Sequence, residues 1–183
     1  MRAGLKGALC ALLASTALPA WAADVASPNG RTVVTLDVDG DGVPFYRVVR
    51  DGKPLIADSD LGFLFTDAQP MRRNFKVESE TRAAHDDTWE QPWGERRFVR
   101  DQHNELLVRF RQHESWGGHA MNVRFRLFDD GIGFRYELPE QEGLKTAKIT
   151  DEITEFDIAP EGTAWWIAGG EWNRYEQVYQ ETP

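Results

Sequence analysis

The stretch that decides the fold is MNVRFRLFDDGIGFRYEL, residues 121–138. Met121, Val123, Phe125 and Leu127 alternate with Asn122, Arg124 and Arg126. Asp129, Asp130 and Gly131 are residue types that tolerate tight backbone angles, and they mark a turn. Ile132, Phe134, Tyr136 and Leu138 then come back on alternate positions. A period of two with one apolar side is the pattern of antiparallel strands that bury one face and wet the other. HNELLVRFRQ (103–112) has the same pattern, with Leu106, Val108 and Phe110 on the apolar side.

The pattern continues towards the N-terminus. In TVVTLDV (32–38), Val34, Leu36 and Val38 oppose Thr35 and Asp37. DGDG (39–42) is a turn, FYRVV (45–49) a second strand, and Arg50-Asp51-Gly52-Lys53 a hairpin signal before LGFLF at 61–65. No window carries a sustained helical stripe. Short strands separated by turns predict an all-β antiparallel sandwich or barrel.

The chain has 183 residues and a formal charge of −9. Its start, MRAGLKGALCALLASTALPAWA, has Arg2 and Lys6, an apolar run and an Ala20-Trp21-Ala22 end. That order predicts a secretory signal peptide over 1–22, hence an exported protein, periplasmic or secreted. The apolar run is short for a membrane span. Cleavage after Ala22 leaves 161 residues, removes Arg2, Lys6 and the single cysteine Cys10, and takes the charge to −11. The exported part then has no disulfide or thiol chemistry and relies on its core, which a domain of about 150 residues can do by burying about 70% of its unfolded surface. The acidic balance argues against nucleic acid and anionic lipid as partners.

Few motifs carry chemistry. DVDGDG (37–42) matches the opening of a calcium loop, but position twelve is Val48 where a bidentate carboxylate is needed, so a hairpin turn is expected. His85, His103, His113 and His119 lack zinc-site spacing, and there is no G-x-S-x-G. DDTWEQPWGERR (86–97) sets Trp89 and Trp93 beside Glu90 and Glu95. Aromatic faces can cover sugar C–H groups and carboxylates accept hydroxyl hydrogen bonds, so these four are candidate sugar-binding residues; packing is the alternative. The C-terminal AWWIAGGEWNRYEQVYQETP is rich in aromatics and predicts burial against a surface that further chain would supply. No closing strand is expected after Tyr179.

TWEQPWGERR (88–97), HNEL (103–106), RFRLFDDGIGFRYELP (124–139) and TAWWI (163–167) together resemble glycoside hydrolase family 97, as does the opening SPNGRTVVTLDVDGDGVPFYRVVRDGKPLI. The resemblance covers nearly all of the chain after residue 22. It implies exo-acting α-glucosidase or α-galactosidase activity on α-linked oligosaccharides. It implies a β-super-sandwich akin to galactose mutarotase, then a (β/α)8 catalytic barrel that this sequence does not contain. On that reading residues 23–183 are a partial N-terminal domain, incomplete at the C-terminus and inactive alone, with no catalytic residue of its own. The resemblance also implies that a glutamate after the tryptophan pair helps to ligate calcium, with Glu176, after Tyr175, the best match and Glu171 the runner-up. Residues 86–97 then form a Pro-Trp-Gly turn that meets the barrel. Two rivals are a stand-alone carbohydrate-binding module using Trp89, Trp93 and Trp172, and a mutarotase-like epimerase using His103 and Glu105.

Overall fold

The protein is described by a computed structural model covering residues 22–159, 161–170, 173 and 176–183. The signal-peptide reading therefore lies almost wholly outside the described residues, as do Glu171, Trp172 and Tyr175. Among the described residues twelve strands run in chain order: β1 (Ala23–Ala26), β2 (Thr32–Val38), β3 (Pro44–Arg50), β4 (Lys53–Asp60), β5 (Phe63–Phe65), β6 (Phe75–Glu90), β7 (Phe98–Gln112), β8 (Ala120–Leu127), β9 (Ile132–Glu137), β10 (Ile149–Glu152), β11 (Ala164–Trp166) and β12 (Gln180–Thr182). A single 3₁₀ turn, Glu114–Trp116, follows β7. No helix among these residues is long and apolar enough to cross a membrane.

Two antiparallel meanders make the sandwich, one ordered β1-β2-β3-β4 and the other β6-β7-β8-β9. Two-stranded pairs β5–β10 and β11–β12 accompany them. The alternation explains the packing. Val34, Leu36, Tyr46 and Val48 come from the first sheet, and Leu106, Val108, Phe110, Met121, Val123, Phe125 and Leu127 from the second; all are fully buried in one core. Tyr46 bridges the layers, its ring centroid 5.5 Å from Phe125 and 5.7 Å from Phe134. Phe125 and Phe134 stack across β8 and β9 at 4.9 Å. Tyr46 Oη donates to the Glu155 carbonyl at 2.9 Å, so the one polar atom of this buried ring is satisfied.

The outer face of the second sheet carries a charge ladder. Arg124 lies between Glu105 and Glu137, with Nε 2.7 Å from Glu137 Oε1. Arg126 pairs with Glu105 at 2.9 Å and Arg135 with Glu137 at 2.7 Å. Hydrogen bonds from Arg124 hold the Glu137 carboxyl down at about 2 against a burial cost. Burial pushes Glu105 up, but hydrogen bonds from Arg126 and Arg124 outweigh it and its pKa is lowered.

Two expectations are corrected. Residues 86–90 continue β6, so the Trp-rich stretch is not a loop throughout. A strand does follow Tyr179: β12 pairs with β11 from Ala164↔Thr182 to Trp166↔Gln180. His119 lies in the loop before β8 and is buried.

Candidate functional site

The Trp-rich stretch becomes an arm through strand length. β6 and β7 pair from Phe75↔Gln112 to Glu90↔Phe98, but β8 follows β7 only as far as Leu127↔Asn104. The six pairs from His85↔His103 to Glu90↔Phe98 therefore run past the sheet as a two-stranded ribbon. At roughly 3.3 Å per residue the ribbon reaches about 20 Å beyond the third strand.

A free two-stranded ribbon is marginal in water, and side chains brace this one. Arg100 forks onto both Asp86 oxygens at 2.7 Å. The hydrogen bond from Arg100 holds the Asp86 carboxyl below the usual carboxylate range. Near the tip Arg97 Nε donates to Glu90 at 2.8 Å, and its guanidinium lies 5.2 Å from the Phe98 ring. At the root the His85 and His103 rings are 5.1 Å apart, and His103 Nδ1 lies 2.5 Å from Asp101 Oδ1. Gly94 turns the tip at φ 127°, with the Gln91 side chain where a Cβ would sit.

The candidates divide across this arm. Trp89 pairs with Val99 and so shares its face, while Glu90 and Phe98 share the opposite one. Trp89 is 50% exposed, Phe98 57% and Trp93, at the tip, 83%. Glu90 is committed to Arg97. Glu95 is exposed and makes no hydrogen bond or ion pair among the described residues. Glu176 is exposed on unpaired chain before β12. Among the described residues no group of three His, Cys, Asp or Glu converges for a metal. In the DVDGDG turn, Asp39 Oδ1 accepts from the Asp41 and Val43 amides at 2.9 and 2.8 Å, so this carboxylate closes the β2–β3 hairpin. The epimerase pair fares no better: His103 and Glu105 share a strand face, yet His103 is bonded to Asp101 and Glu105 to Arg124 and Arg126.

The arm and the later chain point to the same end of the sandwich. Asn29 N donates to Asp129 Oδ1 at 2.8 Å and Arg50 reaches the Asp129 carbonyl, which places the turns before β2, after β3 and after β8 together beside the arm's root. Residues 155–159 then run antiparallel to β4, from Glu155 N on Asp60 O to Ala159 N on Leu55 O, towards that end.

The sequence matches the protein family described as Glycosyl-hydrolase 97 N-terminal over residues 25–183. The chain belongs to this family. Among relatives of this GH97 N-terminal chain, a retaining α-galactosidase from Bacteroides thetaiotaomicron is 24% identical over 140 residues, covering 76% of this chain and 19% of the relative. A probable retaining α-galactosidase from Streptomyces bingchenggensis is 26% identical over 168 residues, covering 88% and 25%. Among solved structures, a glycoside hydrolase family 97 enzyme from Pseudoalteromonas sp. strain K8, in complex with panose or with acarbose, superposes with a TM-score of 0.82 at 42% identity. That match covers 88% of this chain and 24% of the enzyme. A β-arabinopyranosidase superposes with a TM-score of 0.73 at 26% identity. The GH97 N-terminal chain thus spans about a fifth to a quarter of the relatives it matches.

The sequence reading missed the residues that stiffen the arm, namely Asp86, Arg97, Phe98 and Arg100. Their signal was present as Asp-Asp before the turn and Arg residues after it, at positions that become cross-strand partners once the register is known.

Proposed function

We propose that this GH97 N-terminal chain serves as the docking and site-completing domain of an exo-acting α-glycosidase, an α-glucosidase or α-galactosidase. The observation that carries the reading is the β6–β7 arm, which leaves the sheet and holds Trp89, Trp93 and Phe98 in solvent at the end towards which residues 155–159 run. Apolar rings on a braced ribbon are suited to burial against a second surface. That surface is a (β/α)8 barrel, which supplies the acid and base groups. Trp89, Glu90, Trp93 and Glu95 meet the barrel or the α-linked oligosaccharide at its mouth. Glu176 gives one oxygen to a calcium ion whose other ligands lie on the barrel; a carboxylate in solvent fits the oxygen preference of that ion. Residues 1–22 direct export and are removed.

The test joins residues 23–183 to the catalytic part of the Pseudoalteromonas relative and follows p-nitrophenyl α-glucoside and α-galactoside hydrolysis. The chain alone is inactive and the joined protein active, the activity falls on chelation, and Glu176→Gln raises the calcium needed for half-maximal rate. Hydrolysis by the chain alone overturns the reading. Exposure of Trp89 and Trp93 also favours a second reading, a carbohydrate-binding module. Micromolar binding of α-gluco-oligosaccharides by the chain alone, lost in Trp93→Ala, would favour it.

A further inference from the structure

The opposite end of the same hairpin borders a cleft. Where β6 begins and β7 ends, a cleft of about 760 Å³ opens between the DGDG turn, residues 73–76 and the 3₁₀ turn. That volume lies within the range of roughly 300–1,000 Å³ typical of small-molecule sites. Its walls are stitched together by backbone. Asn74 N donates to Asp41 O, Phe75 N to Gly42 O at 2.9 Å, and His113 N to Asn74 O at 2.8 Å. Gly42, at φ 71°, approaches so closely that a Cβ would sit 2.7 Å from Phe75 N. Asn74 itself is held at φ 60°.

The lining charges run against the net charge of the chain. The protein carries −9 overall, yet Arg73, Lys76 and Arg111 line this cleft together with Asp41 and Glu114. Arg111 is bound to Glu78 at 3.1 Å and to the Gly118 carbonyl. Among the described residues Arg73 and Lys76 have no carboxylate within 4.0 Å, and Arg73 Nε is buried with no partner at all. Two cationic side chains on one cleft without a carboxylate partner leave positive charge that an oxyanion neutralises. Trp116, half-buried on the same cleft in a turn closed by its backbone amide on His113 O at 2.8 Å, adds an aromatic surface. Cations over one part of a ligand and an indole against another select a ring with apolar C–H faces and one negative group.

We propose that this cleft binds an anionic saccharide, a sugar bearing a carboxylate or a sulfate, with Arg73 and Lys76 on the oxyanion and Trp116 against the ring. The site is separate from the arm and does not depend on how the arm is used, because seven β6–β7 pairs, from Val77↔Phe110 to Ala84↔Asn104, lie between the cleft and the arm's root.

Calorimetric titration of the whole chain tests it, with sodium glucuronate, glucose 6-sulfate, maltose and sodium sulfate as probes at low and high salt. One or both charged sugars bind, maltose and sodium sulfate bind on the order of tenfold more weakly, and salt weakens the charged sugars. The tighter of glucuronate and glucose 6-sulfate identifies the anion. Lys76→Gln, at an exposed position, lowers affinity on the order of tenfold with an unchanged melting temperature, and Trp116→Ala lowers it for sugars but not for sulfate. Maltose binding as tightly as the charged sugars, sulfate binding as tightly as glucose 6-sulfate, indifference to Lys76→Gln, or no binding at millimolar sugar would each overturn the proposal.

Discussion

At the residue scale, single side chains and single backbone angles decide outcomes that composition does not reveal. Arg124 is the hinge of the outer-face ladder, and its partner Glu137 is held at about 2 against an ordinary value of 4.5. A carboxyl whose folded pKa is depressed contributes stability that is present above its unfolded value and is lost as pH falls towards the folded one. Thermal stability should therefore decline from about pH 4.5 down to about pH 2, and Arg124→Met should flatten that decline. Circular dichroism melts across this range check it; equal slopes in both proteins would count against the assignment. Gly42→Ala forces a Cβ into the Phe75 backbone at positive φ and should cost at least about 2 kcal/mol in urea unfolding. Tyr46→Phe removes the hydroxyl and its bond to the Glu155 carbonyl and should cost about 1 kcal/mol. Phe125→Ala empties the centre of the aromatic cluster and should cost about 3–5 kcal/mol.

At the scale of elements, the same alternation is readable in some strands and hidden in others. β7, β8 and β9 were legible because apolar residues recur on one parity, which the structure turns to the core, as with Leu106, Val108 and Phe110, while β2 and β3 were legible as short apolar runs between turns. β4 was not, because its pairing with β3 shifts register around Val48 and its sequence carries Pro54, Asp58 and Asp60. β1 was missed because four residues, ADVA, give too short a pattern, although Ala23 and Val25 are buried. The arm was misread as a loop because a strand with both faces in solvent has no reason to alternate. Being separately braced, the arm should behave as its own unit. Hydrogen exchange at 85–103 should be much faster than at 104–112, and replacing 86–100 with a two-residue turn should leave the melting temperature of the sandwich nearly unchanged. A large loss of stability would mean that the arm is part of the core.

At the scale of the whole molecule, the strands form a sandwich whose exposed aromatics gather on the arm and the later chain, including Trp165 and Tyr179. If a barrel buries them as proposed, a chain joined to a GH97 barrel should show blue-shifted tryptophan emission against the separate parts, and Trp93→Ala should reduce that shift. Expression with an intact start should yield a mature N-terminus at Ala23, checked by mass of the exported product. The alternation of apolar and polar side chains determined by itself that the chain is antiparallel and all-β, since a period of two leaves only one way to bury half of each strand. Its ordered motifs pointed to the family as well. Only the tertiary structure decided that β6 and β7 outrun β8, which turns a tryptophan-rich stretch into a projecting arm, and that Arg73, Lys76 and Trp116 share a cleft. Both follow from register and from contacts between residues far apart in the chain, and local periodicity carries no record of either.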